Sequence, residues 1–487
     1  MTFVETLEPN ALWKHFDQIL TIPRGSGNEA AIRDHIIEIA KRNGLEYQVD
    51  GMGNLIVRKP GAPGFENSPG TVLQNHMDMV NEKNSDVDHD FEKDPLKPER
   101  DGDFLTAVGT TLGSDNGIGI AAALAVLEST DIKHGPIEAV FTVDEETGLT
   151  GAAGLDASMI KGRTLLNLDS EEEGILYVGC AGGGDSQITV PLKQAPTPAG
   201  CSAIQLKLQG LKGGHSGCDI HLQRGNAIKL LARALLAVRQ KGVGLHLAEF
   251  YGGSAHNAIP REAFALAVVG AGDVETFNGA LLDEISTIQV EFRPAEPDMN
   301  LVSSPADCPE KVWDENTTSL VLRLVTALPH GIEAMSYDIP DLVETSTNLA
   351  TVLPSNGSLN VGLSSRSSVE SGLQALRQRI RATAELVGLD VAEGDSYPGW
   401  KPNLESPLLK TVQEIHKREL GFEPQIKAIH AGLECGIIGE KLDGMDMISF
   451  GPDIEFPHSP DERVNIDTVT RFYKLLSAVL EELATRA

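Results

Sequence analysis

Apolar residues recur at helical spacing from Leu12 to Arg42, and Tyr47 to Val57 then alternates like a strand around an Asp50-Gly-Met-Gly turn. Four short apolar runs follow, Thr71 to Gln74, Ile137 to Val143, Thr164 to Leu168 and Met447 to Phe450, and each passes directly into polar residues. Runs of this kind predict strands buried on both faces. Gly117 to Glu128, rich in Ala and Leu, predicts a buried helix between the first two of them. Strands alternating with helices predict an α/β domain with a mostly parallel central sheet, whose ligands gather beyond the carboxyl ends of the strands.

The pattern changes at Gln194-Ala-Pro-Thr-Pro-Ala-Gly-Cys-Ser, which reads as a linker. Strands at Ala203 to Gln209, Phe264 to Val269 and Ser358 to Ser364, with helices at Asn226 to Gln240 and Val369 to Val387, predict an inserted α+β domain. Tyr397-Pro-Gly-Trp-Lys-Pro marks a second boundary, followed by helices at Pro407 to Leu420 and Ile466 to Ala487. The expected division is a first domain at 1–186 and 398–487, interrupted by an insert at 187–397 long enough for two similar halves.

Composition narrows the partners. Forty Lys plus Arg against 70 Asp plus Glu give a formal charge of -30, which argues against nucleic acid. The five Cys are odd in number and scattered without a CxxC pair, so neither a disulfide framework nor a cysteine zinc site is indicated, and a reducing cytoplasm fits. The N-terminus lacks a basic segment followed by an apolar run, and the longest apolar stretch, near Ile118 to Leu127, is too short to cross a bilayer. The expectation is a protein that is neither exported nor held in a membrane.

Several polar residues fall at the predicted strand ends. His76 and Asp78 share a face of an extended segment, so Asp78 can accept one imidazole N–H and leave the other nitrogen for a metal. Asp115 sits in a Gly-rich turn at the mouth of the buried helix, where it also reads as a plain helix cap. Asp144-Glu145-Glu146 places three carboxylates side by side, either a solvated acidic turn or a group that a cation relieves of repulsion. With Asp169 and His458, the potential ligands His76, Asp115, Glu146, Asp169 and His458 all lie on one edge of one sheet. Two imidazoles and three carboxylates suit Zn²⁺, Co²⁺ or Mn²⁺, and their number fits two ions sharing a carboxylate better than one. Glu145 is then free to act as general base.

His76-Met-Asp78, Gly113-Ser-Asp115-Asn-Gly, Asp144-Glu145-Glu146-Thr-Gly, Asn167-Leu-Asp169 and Pro457-His458-Ser459, in this order, resemble the M20 metallopeptidase family from end to end, and within it the aminoacyl-histidine dipeptidase group. The resemblance implies that Asp115 bridges two zincs, that Glu146 and His458 complete one site, and that His76 and Asp169 complete the other. It also implies that Glu145 is the base, that Asp78 backs His76, and that the Asp115-Asn116 peptide is cis. By the same likeness the insert is a lid. His215 in Gly213-Gly-His215-Ser-Gly would polarise the scissile carbonyl, and Asn257 would help hold substrate. Arg366 would clamp a terminal carboxylate or is a surface Arg, and Glu434 would meet the substrate ammonium or is a capping Glu. The implied function is a cytoplasmic, homodimeric, two-metal dipeptidase acting on small peptides with free ends, carnosine-like Xaa-His dipeptides included. Its alternatives are a tripeptide aminopeptidase or N-deacylase of the same fold and, outside that class, a catalytically dead binding protein.

Overall fold

A computed structural model describes residues 2–486, the side chain of Asp395 excepted. The chain forms two compact units, one of residues 1–180, 400–428 and 433–487, the other of 181–399 and 429–432.

The first unit is built on an eight-stranded sheet. In chain order its strands are β1 (Glu46–Val49), β2 (Leu55–Lys59), β3 (Thr71–His76), β4 (Ile137–Thr142), β5 (Thr164–Asn167), β6 (Ile175–Cys180), β7 (Gln425–Ile429) and β8 (Asp446–Ser449). Their spatial order is β1-β2-β4-β3-β5-β8-β6-β7. The inner four, β4-β3-β5-β8, run parallel, whereas β1, β2 and β6 join antiparallel. Every residue of β3 and β4 is buried, as expected for strands covered on both faces. Helix Ser114–Glu128 is buried on all sides from Ser114 to Leu127 apart from Asp115, which is why its sequence is apolar without a polar face. Residues expected to be helical from Leu12 to Arg42 form two helices, Asn10–Ile19 and Ala30–Arg42. Pro23, Gly25 and Gly27 break the run, and the break lowers Arg24 into the interior, where it is 2% exposed. A small antiparallel sheet, with Ile454–Glu455 and Arg463–Asn465 as neighbours, carries the loop 456–462.

The second unit contains a nine-stranded sheet. Its strands Cys201–Gln209, Leu245–Gly252, Ala263–Gly270 and Asn300–Ala306, with helices Ala227–Gln240 and Val274–Phe292, form a β-α-β-β-α-β half in which the first strand lies between the third and fourth. Gly182–Pro191, Val343–Ser355, Ser358–Ser367 and Val391–Tyr397, with helices Glu315–Ala327 and Glu370–Glu385, repeat that order. The second strands of the two halves meet at Gly252 and Val352. The first half is thus inserted between the first strand and first helix of the other.

Two boundary expectations are corrected. Strand Gly182–Pro191 continues through 186/187, so the first part of unit one ends at 180. The stretch read as a linker contains strand Gln194–Pro196, paired with Lys311–Trp313 in a two-stranded sheet where a proline costs no central ladder bond.

Candidate metal centre

Strands β3, β4, β5 and β8 end on one edge of the first unit, and the loops beyond them carry the polar cluster. His76 closes β3 and is 1% exposed. Its Nδ1 lies 3.3 Å from Asp78 Oδ1, and its Nε2 faces Asp115 Oδ1 at 2.9 Å and Asp169 Oδ1 at 3.1 Å. The other oxygen of Asp115 lies 3.1 Å from His458 Nε2, which is also 3.0 Å from Glu146 Oε2. Each oxygen of Asp115 therefore faces a different imidazole. Two sets of ligand atoms result, His76–Asp115–Asp169 and Asp115–Glu146–His458, each lying within 4.8 Å. Glu145 makes a further set with His76 and Glu146. Position alone thus allows Glu145 to be either ligand or base.

The surrounding chain holds these groups in place. Asp78 accepts the amides of Glu145 at 3.0 Å and Glu146 at 3.1 Å and the Ser26 hydroxyl at 2.8 Å, so it orients His76 and anchors the acidic turn together. Asp144 opens that turn at φ 52, and His458 stands at φ 59, left-handed conformations rare for such residues and concentrated at sites where surrounding structure enforces them. Glu462 accepts the amides of Leu112, Gly113 and Ser114 at 2.7 to 2.9 Å and so fixes the loop that presents Asp115. The Asp115-Asn116 peptide is cis. Arg24 donates to the carbonyls of Met77, Asp78 and Gly113, tying the end of β3 to the same loop. A further row lies beneath. Gln74 donates to Glu434 Oε2 at 2.5 Å, Asn167 donates to Gln74 at 2.5 Å, and Ser449 donates to Asn167 at 2.5 Å.

Electrostatics mark the cluster as a cation site. Hydrogen bonds donated to Asp115 and Glu146, working against burial, raise His458 to about 11. Burial alone would lower His76, but Asp169, Asp115 and Asp78 lift it well above the ordinary imidazole value. Burial raises Asp169 to about 6 against the pull of His76. Asp78 would also rise by burial, yet His76, Ser26 and the Glu145 amide bring it down to about 2. The imidazolium protons occupy the places that divalent cations would take, so cation binding should displace protons. The donor set fits such ions: buried Glu146 Oε1 has no hydrogen-bond partner, and imidazole plus carboxylate suits zinc-like metals. Glu145 is driven well above the carboxylate range by burial, with Asp169, Glu434 and Glu146 adding to the effect and His76 opposing it. A carboxyl of that kind readily holds a proton.

Glu434 departs from expectation. It is 0% exposed at the start of helix Glu434–Lys441, held by Gln74 and by Thr142 at 2.7 Å, and burial pushes it up to about 8. With no open face, it supports the ends of β3 and β4, and the expected contact with a substrate ammonium is not available to it. Arg24, Glu462, Gln74, Asn167 and Ser449 are not legible as site residues in the sequence, because each reads as an ordinary strand or loop residue until the register is known.

Within the second unit, the segment of His215 runs beside that of Asn257: Ser216 N donates to Asn257 O at 2.8 Å, and Ile259 N donates to Gly214 O at 2.8 Å. His215 Nδ1 accepts the amides of Gly217 at 3.2 Å and Cys218 at 3.0 Å, which places the proton of the neutral ring on Nε2. Burial first, and then the charge of Arg366, lowers its pKa and keeps the ring neutral. Arg366 is 8% exposed, donates Nη1 to Tyr397 Oη at 3.0 Å, and keeps a buried Nε with no partner. A Cβ on Gly217 would lie 3.1 Å from His215 Cε1 and 3.2 Å from Arg366 Nε, so these two donors flank one glycine. Asn257 is exposed.

Residues 72–482 match Peptidase family M20/M25/M40. The chain is 39% identical to a cytosol non-specific dipeptidase of Escherichia coli over 486 residues, 100% of both chains. Its structure is similar to that of an aminoacylhistidine dipeptidase from Vibrio alginolyticus, with a TM-score of 0.92 and 43% identity over 99% of this chain and 98% of the other. A tripeptidase from Staphylococcus aureus shares the fold at a TM-score of 0.55 and 18% identity, covering 99% of this chain and 100% of its own.

Proposed function

The chain belongs to peptidase family M20/M25/M40 and is a peptide hydrolase, and from that premise we propose that it is a two-metal dipeptidase. Its substrates would be dipeptides with free ends, Xaa-His dipeptides among them. What carries the reading is the likeness to a dipeptidase along the whole length of the chain, with the ligand-bearing edge intact. It extends to zinc as the metal, with Co²⁺ or Mn²⁺ as substitutes, to a homodimer and to the cytoplasm. Among the described residues no helix is long and apolar enough to cross a membrane.

His76 and Asp169 would hold one ion, Glu146 and His458 the other, and Asp115 both. Bound there, the ions would supply Lewis acidity toward water and the scissile carbonyl. Glu145 takes the proton of the attacking water and delivers it to the leaving amine nitrogen, a task suited to a carboxyl with a raised pKa. His215, fixed as the Nε2–H tautomer, donates to the oxygen on which charge develops. Arg366 binds the terminal carboxylate through its planar fork, braced by Tyr397, and Asn257 adds a polar contact from the segment beside His215.

A panel of dipeptides, tripeptides, N-acyl amino acids and dipeptide amides, offered to metal-reconstituted protein, tests the reading. Dipeptide acids should be cleaved best. Arg366→Ala should reduce kcat/KM for them by roughly 30-fold or more while harming the amides little, as removal of a buried charged contact predicts. Preference for tripeptides or N-acyl substrates would assign another amidohydrolase activity. Metal uptake without hydrolysis would identify a binding protein.

A further inference from the structure

Three of the five cysteines stand apart from a pair that the fold brings together. Cys180 and Cys435 are buried in the first unit, and Cys218 follows the His215 loop. Cys201 and Cys308, 107 positions apart, have their sulfurs 2.9 Å from each other at the surface of the second unit. The ladder between Cys201–Gln209 and Asn300–Ala306 pairs Gln209 with Asn300 through Ala203 with Ala306, and two steps further the same register sets Cys201 opposite Cys308. The strands stay together past this point, because Thr197 N donates to Glu310 O at 3.1 Å. Cys308 is exposed and Cys201 half-buried, so a small oxidant can reach the pair.

We propose that Cys201 and Cys308 are a thiol-disulfide modification site that closes the inserted half of the second unit at its neck. That half begins with strand Cys201–Gln209 and ends with strand Asn300–Ala306, so the bond would join the points where the chain enters and leaves it. Asn300–Ala306 is an edge strand of the nine-stranded sheet and is almost wholly exposed, bonded on one side only, so a covalent tie would secure it. Cross-strand neighbours suit disulfide geometry, and a bond closing a long loop constrains the unfolded chain strongly. The oxidant is a low-molecular-weight disulfide such as oxidised glutathione. The thiolate of exposed Cys308 attacks one of its sulfurs, breaking that S–S bond, forming a mixed disulfide and releasing one glutathione thiolate. The Cys201 thiolate then attacks the Cys308 sulfur, forming the protein disulfide and releasing the second. The two protein thiol protons end on the two glutathiones: the protein loses two electrons and the oxidant gains them.

The full-length protein is incubated with oxidised glutathione, and its thiols are counted after unfolding and mapped by mass spectrometry without reduction. The expected result is a loss of two of the five thiols, a peptide linking Cys201 to Cys308, complete reversal by dithiothreitol, and slower proteolysis within 296–310. Cys308→Ser should give no disulfide-linked peptide through Cys201 in the same treatment. Should that variant fail to fold, the map of the wild-type protein decides alone. An unchanged thiol count, glutathione persisting on Cys308, a link between molecules or through another cysteine, or unaltered proteolysis would each overturn the proposal.

Discussion

With one oxygen toward His76 Nδ1 and both oxygens receiving the amides of Glu145 and Glu146, Asp78 couples the orientation of the His76 imidazole to the turn that presents Glu145. The same turn gives Glu146 a partner in His458 and leaves Glu145 where burial first, and then neighbouring carboxylates, raise its pKa. Glu145→Gln keeps size and polarity but removes the ability to take a proton. Turnover should fall by about 10² to 10⁴, the usual loss for a missing general base, while metal content stays at the wild-type level. Parallel metal analysis and kinetics check this. A variant short of one ion would show instead that Glu145 is a ligand, as its set with His76 and Glu146 permits.

At the scale of elements, the parallel register of β3, β5 and β8 sets Gln74, Asn167 and Ser449 in one row, and their side chains join into a chain that ends on Glu434. Gln74→Leu would strand the Asn167 amide in a buried place and leave Glu434 Oε2 with Thr142 alone, at a cost of about 1 to 3 kcal/mol for the unmet amide. Denaturant unfolding of chelated wild-type and variant protein measures it, and a loss below about 1 kcal/mol would show that the row does not support the edge. The strands themselves are legible in the sequence because burial on both faces leaves an uninterrupted apolar run. The row is not, since it joins residues 93 and 282 positions apart, and such a register is invisible in local periodicity. The candidate ligands are legible because acids and imidazoles recur at one strand end after another, a recurrence that solvation of single surface turns does not produce. The break that buries Arg24 stays hidden because helical spacing continues on either side of it. The stretch from Gln194 reads as a linker because Pro196 and Pro198 outweigh a three-residue edge pairing.

For the molecule as a whole, metal should act on the first unit alone, whereas acid reaches both, the first through His15, which burial lowers to about 4. In the first, a cluster of carboxylates and imidazoles sits at the sheet edge, and any ion bound only by the folded form stabilises it, by about 2.7 kcal/mol at a hundredfold excess over Kd. In the second, burial first, then the charges of Arg366 and His215, depress His430 to about 3, and burial with Lys229 depresses His330 to about 3. Above the free imidazole value of 6.5 these two rings are neutral whether folded or unfolded and contribute nothing to the pH dependence. As pH falls from about 6.5 toward 3 the unfolded chain takes up protons that the folded unit refuses, so stability is lost on acidification. At pH 5 the loss is about 2 kcal/mol per histidine. Hydrogen exchange resolved by peptide, corrected for its intrinsic pH dependence, separates the two effects. A chelator at pH 7 should speed exchange in 71–79 and 137–149, by about 100-fold if the ions were near that excess. Acidification from pH 7 to 5 with the metals absent from the start should speed it in 331–335 and 343–367, which pair with each other in the second unit, the first following His330 and the second carrying Ser346, the partner of His430. If acid leaves those two segments as protected as at pH 7, His330 and His430 are not held neutral by the fold. If the chelator leaves the β3 and β4 ends unchanged, the carboxylate edge does not hold the ions.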